Sequence, residues 1–360
     1  MFSDFDRAHM ARALELAERG LYTTTPNPRV GCVIARDGEV IGEGWHERAG
    51  EAHAEMSALR AAAARAEGAT AYVSLEPCAH YGRTAPCTEA LISARVSRVV
   101  AAMPDPNPLV AGKGMGALQA AGIAVESGLL EAQARELNIG FVSRMTRGRP
   151  WVRVKIAASL DGRTALVNGR SQWITGAEAR RDGHGWRARA CAVLTGIGTV
   201  KDDDPRLDVR DVETSRQPVR IVVDSRLETP PGARLLGAGT IVAAAVRDVP
   251  RIEALSATGA EVIVMPNDAG KVDLKALMHE LARREMNEVH VEAGHKLNGS
   301  LLQEGLVDEI VIYLAPHLMG DCARGMFQLP EMQELSARRE LDLREVRAVG
   351  ADIRIIARTR

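Results

Sequence analysis

Six short apolar runs in the second half of the chain constrain its fold more than any other feature: "ACAVLTGI", "VRIVVDS", "TIVAAAV", "EVIVM", "EVHVEAG" and "EIVIYLAP". Each has the length of a strand, and several are separated by stretches of helical periodicity. Strand and helix alternating in this way predict an α/β domain of about 210 residues, in which helices cover a sheet. The closing stretch "LREVRAVGADIRIIAR" reads as an antiparallel edge hairpin.

The first half reads differently. Met10, Ala13, Leu14, Leu16 and Ala17 recur at helical spacing after a candidate cap at Asp6. "TTTPNPRVGCVIARDGEVIGEGWH" then gives a turn and two alternating segments joined at Asp37-Gly38, a hairpin signal. A helix over about 54–66, the strand "TAYVSLE", a loop, the helix "TEALISAR" and the strand "VSRVVAAM" follow. Helices over 115–121 and 131–144, with "IAVESG" between them, complete a three-layer α/β domain. "RMTRGRPW" breaks the pattern, which predicts domains at 1–147 and 148–360.

Composition excludes several classes of function. At net charge -1 over 360 residues there is no basic excess for a phosphate backbone, so small-molecule substrates are expected rather than nucleic acid. No run of eighteen apolar residues suggests a membrane span, and the acidic opening does not fit a signal peptide. Five cysteines, an odd number scattered over a long chain, predict reduced thiols, some of them metal-bound, and a cytoplasmic protein.

"EAHAEMSALR" places His53 and Glu55 two positions apart where an alanine-rich helix begins, followed by "LEPCAHYGRTAPC". A zinc ion that activates water needs three protein ligands, an open position and a nearby group to move protons. His53, Cys78 and Cys87 are the candidate ligands for Zn2+, and Glu55 is the candidate proton shuttle. Residues i and i+2 do not face each other on a continuous helix, so the pair converges only at a helix entrance. Each cysteine follows a proline, Pro77 and Pro86, as at a helix start where the dipole favours a thiolate. His-x-Glu followed by Pro-Cys is the pattern of the zinc deaminases, although the second cysteine here lies nine residues on instead of three. Cys32, Cys191 and Cys322 have no ligand-like neighbours and are assigned to packing.

The stretches "TTPNPRVGCVIARDGEVIGEGWHERAGEAHAE", "SLEPCAHYGRTAPCTEALI" and "PDPNPLVAGKG" resemble the bifunctional deaminase/reductase family of riboflavin biosynthesis. In that family the long insertion between the cysteines is a shared trait. The resemblance implies a cytidine-deaminase-like domain that hydrolytically removes the 2-amino group of 2,5-diamino-6-(5-phosphoribosylamino)pyrimidin-4-one, and a homo-oligomeric protein. A phosphorylated pyrimidine substrate gives three further candidates. Arg83 is a phosphate ligand or a solvated loop charge, Asn27 a partner for the base edge, and His46 a partner for the sugar or phosphate.

Deamination does not require the second domain. "GHKLNGSLL" after a strand places glycines at a strand-to-helix turn suited to a pyrophosphate, but Gly294 and Gly299 are five apart and no dinucleotide fingerprint is present. The resemblance extends across this half and implies a dihydrofolate-reductase-like domain that uses NADPH to reduce the ribosyl group to ribityl. It implies NADP contacts at Ala157, Trp173, Thr199, Asp203, Ser225, Gly294, His295, Lys296, Leu297, Asn298, Gly299 and Ser300. Substrate contacts are implied at Ser171, Arg187, Leu207, Arg210 and Glu292. Arg187 and Arg210 can pair with a phosphate, and Trp173 offers a flat wall. Lys155 and Glu292 are candidates for orienting or protonating the sugar, with a strand-end charge and a pairing carboxylate as the alternatives. Ser225 and Arg226 are candidates for selecting NADPH.

Two other classes of function make different demands. An RNA-binding protein would need a basic stripe and aromatic residues for stacking, and only 3% of the residues are aromatic. A closed structural zinc would need a fourth ligand, for which His80 is the nearby candidate.

Overall fold

The computed structural model describes residues 2–81, 85–108 and 110–360. The chain divides into two compact units, Met1–Gly148 and Arg149–Arg360. Gly148, expected to open the second domain, instead ends the last helix of the first: it adopts a left-handed φ of 66° and its N–H closes on Arg144.

The first unit runs α1 (Asp4–Glu18), β1 (Gly31–Arg36), β2 (Glu39–Trp45), α2 (Ala54–Ala62), β3 (Thr70–Val73), α3 (Cys87–Ser93), β4 (Arg98–Ala101), α4 (Lys113–Ala120), β5 (Ala124–Ser127), α5 (Glu131–Leu137) and α6 (Ile139–Arg147). A 3-10 turn over Ala63–Ala66 replaces the end of the expected 54–66 helix. The cap of α1 is Ser3 and not Asp6. Asp6 is its partner in a capping box, each side chain accepting from the other's backbone N–H.

The sheet order is β2-β1-β3-β4-β5, with β1 antiparallel to both neighbours and β3, β4 and β5 parallel. Asp37 and Gly38 both take positive φ, 51° and 91°, as a two-residue hairpin turn requires. Alternation along β1 separates two cores. Val33 and Ala35 pack with Met10, Leu14 and Leu16 of α1, while Cys32 and Ile34 pack with Ala54, Ala58 and Ala62 of α2. The alanines of α2 have a steric reason: a Cβ on Gly42 or Gly44 would lie 2.3 Å from the Ala58 carbonyl or 2.4 Å from that of Ala54. Helix and strand backbones therefore touch, which fixes the N-terminus of α2 against the end of β2.

The second unit contains β6 (Trp151–Ser159), β7 (Arg163–Ala165), α7 (Ala177–Arg189), β8 (Ala192–Gly196), α8 (Ile197–Asp203), β9 (Val219–Val223), β10 (Thr240–Ala244), α9 (Val249–Ser256), β11 (Glu261–Val264), α10 (Leu274–Arg283), β12 (Glu288–Val291), α11 (His295–Gln303), β13 (Glu309–Ala315), β14 (Arg324–Gly325), β15 (Leu341–Val349) and β16 (Asp352–Thr359). Its main sheet has the order β11-β10-β9-β8-β12-β6-β13-β16-β15. The first seven strands in that order are parallel, and β16 and β15 add antiparallel pairs at one edge, the hairpin expected there. One face packs Val152, Val154 and Ile156 of β6 on Leu277, Met278 and Leu281 of α10 and Leu301 of α11.

The face of β6 and β12 toward α7 is charged. Arg153, fully buried, donates to Glu309 at 2.5 Å and Glu288 at 3.0 Å, and its guanidinium lies 4.5 Å from the Trp186 ring centroid. Among the described residues, no helix is long and apolar enough to cross a membrane.

Candidate active sites

In the first unit, His53 is the N-cap of α2, in extended conformation (φ -72°, ψ 162°), and Glu55 lies in the first turn, 3% exposed. This is the turning entrance that lets residues i and i+2 converge. Cys87 opens α3 after Pro86 at the N-cap. Cys78, expected at a similar helix start, lies instead in the loop after β3. The N-terminus of α3 still serves it, because the Cys87 N–H donates to Cys78 Sγ at 3.3 Å.

His53 Nδ1 is 3.2 Å from Cys87 Sγ and 3.6 Å from Cys78 Sγ, and the three ligand atoms all lie within 4.8 Å of one another. Tetrahedral zinc with ligand bonds of about 2.0–2.3 Å separates its ligands by about 3.5–3.8 Å, so the cluster fits zinc and leaves a fourth position open. His80, the fourth ligand that a closed site would need, is exposed and outside the cluster. The hydrogen bond from Cys87 holds Cys78 at about 4 against the cost of burial, with help from His53. The same hydrogen bond, together with burial, pushes the Cys87 thiol far up. Burial raises Glu55 to about 6 despite the opposing charge of His53.

Two expected substrate contacts are engaged with each other. His46 is 3% exposed, with Nδ1 3.0 Å from the Ala52 carbonyl and Nε2 3.0 Å from Asn27 Nδ2. The ring donates through Nδ1 and accepts through Nε2, and burial lowers its pKa. The buried ring bonds Asn27 and the Ala52 carbonyl and packs edge-on to His53, ring centroids 5.4 Å apart. Arg83 lies outside the described residues. Sequence reasoning missed Glu76 of "LEPC", whose buried carboxylate accepts four backbone N–H groups.

The second unit holds a cavity of about 580 Å³ at the ends of β6 and β12, bordered by α7, α8 and the start of α11. It brings together Lys155, Ala157, Ser171, Trp173, Arg187, Thr199, Asp203, Leu207, Arg210, Glu292, Gly294, His295 and Asn298. Ser225, Lys296, Leu297, Gly299 and Ser300 are not in its lining. The Ser225 hydroxyl accepts from the Val272 N–H at 3.1 Å, and Leu297 packs on the core. A Cβ on Gly299 would lie 2.1 Å from the Gln328 carbonyl, so the close approach of backbone requires a glycine here. Arg226, exposed, pairs with Glu228 at 3.0 Å.

Arg187 and Glu292 form a two-toothed ion pair in the cavity wall, Nε–Oε1 2.5 Å and Nη2–Oε2 2.9 Å, while Arg187 Nη1 donates to the Asp208 carbonyl at 2.9 Å. Burial opposes the Glu292 charge, but the charge and hydrogen bonds of Arg187, with His290 and Lys155, hold it well below the carboxylate range. Glu292 is therefore a fixed carboxylate and not a proton donor at neutral pH. Arg187 is a partner for that carboxylate before it is one for a phosphate. Burial lowers Lys155, with Glu292 opposing. Arg210 bonds Asp208, and Ser171 donates to Asp203 at 3.0 Å. The Trp173 face, 71% exposed, is covered by Arg180 at 4.7 Å.

The cavity fits a dinucleotide in size and in chemistry. Gly294, the N-cap of α11, carries no side-chain cap, which leaves the helix terminus to an anion. Asn298 is 2% exposed, and its Oδ1 has no partner among the described residues.

Comparison with known proteins agrees with both sites. Residues 150–355 match the family model described as RibD C-terminal domain, and residues 3–103 match the cytidine and deoxycytidylate deaminase zinc-binding region. The chain is 49% identical to the riboflavin biosynthesis protein RibD of Escherichia coli K12 over 97% of its own length and 98% of that protein's. Among solved structures it is similar to Acinetobacter baumannii RibD, form 1, with TM-score 0.92 and 46% identity over 99% of both chains. It is also similar to a Thermotoga maritima diaminohydroxyphosphoribosylaminopyrimidine deaminase/5-amino-6-(5-phosphoribosylamino)uracil reductase, with TM-score 0.87 and 31% identity over 99% of both chains.

Proposed function

The chain belongs to the RibD family of bifunctional riboflavin-biosynthesis enzymes, and from that premise we propose how its own residues divide the two reactions. It is a zinc-dependent deaminase and an NADPH-dependent reductase. The substrate of the first unit is 2,5-diamino-6-(5-phosphoribosylamino)pyrimidin-4-one. The second unit reduces the deaminated product to 5-amino-6-(5-phosphoribitylamino)uracil. The observation that carries this reading is a three-ligand cluster with an open position beside a buried glutamate in one unit, and a dinucleotide-sized cavity in the other.

His53, Cys78 and Cys87 hold the zinc, which when bound supplies Lewis acidity that makes water nucleophilic near neutral pH. Water replaces the 2-amino group, and ammonia leaves. Glu55 takes a proton from the water and returns it to the departing nitrogen, a two-way task suited to a carboxyl raised to about 6. Asn27, held by His46, presents its carbonyl oxygen to the base edge, and Arg83 meets the phosphate.

NADPH, when bound, supplies the hydride. It adds to the anomeric carbon as the bond from that carbon to the ring oxygen breaks, and the oxygen takes up a proton. Lys155, whose affinity for its proton is weakened by burial, donates that proton, while Glu292 and Arg187 orient the sugar. Gly294, His295 and Asn298 of α11 face the cofactor, and Arg210 remains the cation for the substrate phosphate.

A cytoplasmic homo-oligomer without a nucleic-acid partner completes the reading, supported by the near-zero net charge and by the family. The test supplies the diaminopyrimidine phosphate and follows ammonia release and NADPH oxidation separately, with zinc counted in the same sample. One zinc per chain and ammonia release preceding NADPH oxidation are expected. NADPH oxidation without ammonia release would overturn the assigned order.

A further inference from the structure

Two residues before the metal-ligand Cys78, the Glu76 side chain is 3% exposed and pairs with no cation among the described residues. Its Oε2 accepts the N–H groups of Asp105 and Gly112, each at 3.0 Å, and its Oε1 those of Gly114 and Met115 at 2.9 and 3.1 Å. Three of these four donors belong to the N-cap and first turn of α4, whose terminus has no side-chain cap of its own. A buried carboxylate without hydrogen bonds would be strongly unfavourable, and the first N–H groups of a helix lack intrahelical partners; each supplies what the other needs. The contact is also tight in backbone terms, since a Cβ on Gly114 would lie 1.9 Å from the Pro77 carbonyl.

The clamp ties the 105–107 turn and the start of α4 to the chain that leads into Cys78. On one side, Cys78 is secured from behind by Thr88, whose N–H and hydroxyl both donate to the Cys78 carbonyl at 3.2 Å. On the other, Asp105 donates its N–H to Glu76 and accepts the Asn107 N–H at 2.8 Å, which sets a turn. We infer that Glu76 is a positioning residue of the deaminase site. Its carboxylate fixes the 105–107 turn and the start of α4 against the cysteine loop, so that one group sets both the seat of Cys78 and the wall beside it. Glu76 touches neither metal nor substrate. It acts through Cys78 and the turn, as groups behind metal ligands do when their loss costs about 10–100-fold in metal affinity or activity.

The inference rests on the first unit being the deaminase, and the parallel assay of the unaltered enzyme tests that reading by itself. In the full-length chain, Glu76→Gln keeps the size of the side chain but puts an NH2 group opposite two N–H donors. The expected result is a 10–100-fold fall in deaminase kcat/KM, carried mainly by KM, and faster loss of zinc to a chelator. NADPH oxidation with supplied deaminated pyrimidine should be unchanged, and Glu76→Asp should recover part of the loss. Unchanged deaminase KM and zinc-loss rate in folded E76Q would overturn the inference. If E76Q does not fold, Gly112→Ala decides: its Cβ meets nothing within 4 Å, but an alanine resists the φ of +78° and loosens the same clamp. A folded G112A with raised KM and faster zinc loss supports the inference, and one indistinguishable from the unaltered enzyme leaves Glu76 a folding residue only.

Discussion

Arg187→Gln isolates the ion pair at the centre of the reductase cavity. Arg187 and Glu292 are 14% and 16% exposed, and their two contacts of 2.5 and 2.9 Å make the pair largely desolvated and well aligned. At about 4 Å between charge centres and an effective dielectric constant near 20, the attraction is about 4 kcal/mol. Removing one partner of such a pair costs about 3–5 kcal/mol, because the other charge is left buried. Lys155 remains near Glu292 and offsets part of this, so R187Q should lose about 3 kcal/mol at pH 7 in urea unfolding followed by the fluorescence of Trp151, Trp173 and Trp186. Glu292→Gln should cost a similar amount, but the double variant should fall well short of the sum of about 6 kcal/mol, since no buried charge then lacks a partner. The pH dependence has a definite sign. Glu292 is depressed in the folded state, so its contribution is present above the ordinary carboxylate value of about 4.3 and is lost as pH falls through its folded value. The gap between the unaltered chain and R187Q should therefore be widest near neutrality and shrink below about pH 4. A loss under about 0.5 kcal/mol in R187Q, or a double variant that simply adds the two single losses, would refute the reasoning.

Other perturbations separate the two sites. Glu55→Gln should lower ammonia release by about 10²–10⁴-fold while zinc content and NADPH oxidation with supplied deaminated pyrimidine stay unchanged; loss of both activities in a folded variant would contradict separate sites. Chelation should abolish ammonia release, leave the reductase active and be reversed by added zinc; a reductase that also stops would place the metal in the wrong unit. Gly299→Ala forces the α11 backbone off the Gln328 carbonyl, 2.1 Å from the new Cβ, and should cost about 1–3 kcal/mol; weaker NADPH binding with unchanged unfolding would mark Gly299 as a cofactor contact instead.

Where sequence reading succeeded and where it stopped has a consistent physical cause. The metal cluster was legible because histidine and cysteine are rare enough for their spacing to carry information, and because the N-cap geometry of α2 is written into the sequence that follows His53. The same local rule misplaced Cys78. Pro77-Cys78 and Pro86-Cys87 are identical dipeptides, but only the second is followed by an apolar helical stretch, "TEALIS". A helix presents the Gly294–Ser300 run on more than one side: Gly294, His295 and Asn298 line the cavity, while Leu297 packs on the core and Gly299 lies against the Gln328 backbone, an arrangement that a contiguous motif does not spell out. His46 and Asn27, and Glu76 and its four amides, were hidden for a different reason. Their partners lie 19 to 39 residues away, beyond any helical or strand period.

Strand β12 shows how such long-range pairing makes a site. Its sequence "EVHVE" alternates in a way that ordinarily marks a strand with one face in water. Here both faces are closed: Val289 and Val291 enter the apolar core, while Glu288 and His290 are 1% and 0% exposed on the other side. That second face is bearable only because cations arrive from elsewhere in the chain. Arg153 on the adjacent β6 and Arg189 of α7 meet Glu288, and Arg187 of α7 meets Glu292 just beyond the strand end. Arg187 and Arg189 are two apart on α7, as Glu288 and Glu292 are four apart around β12, so one helix laid across the strand pairs both carboxylates. His290 lies between them, 3.4 Å from Glu292 Oε1, and burial lowers its pKa against the pull of Glu292. The polar line therefore runs from a structural ion pair at Glu288, through the His290 ring, to the cavity at Glu292. The Glu292 carboxylate is set at the open end of a row whose remaining members hold the helix to the sheet.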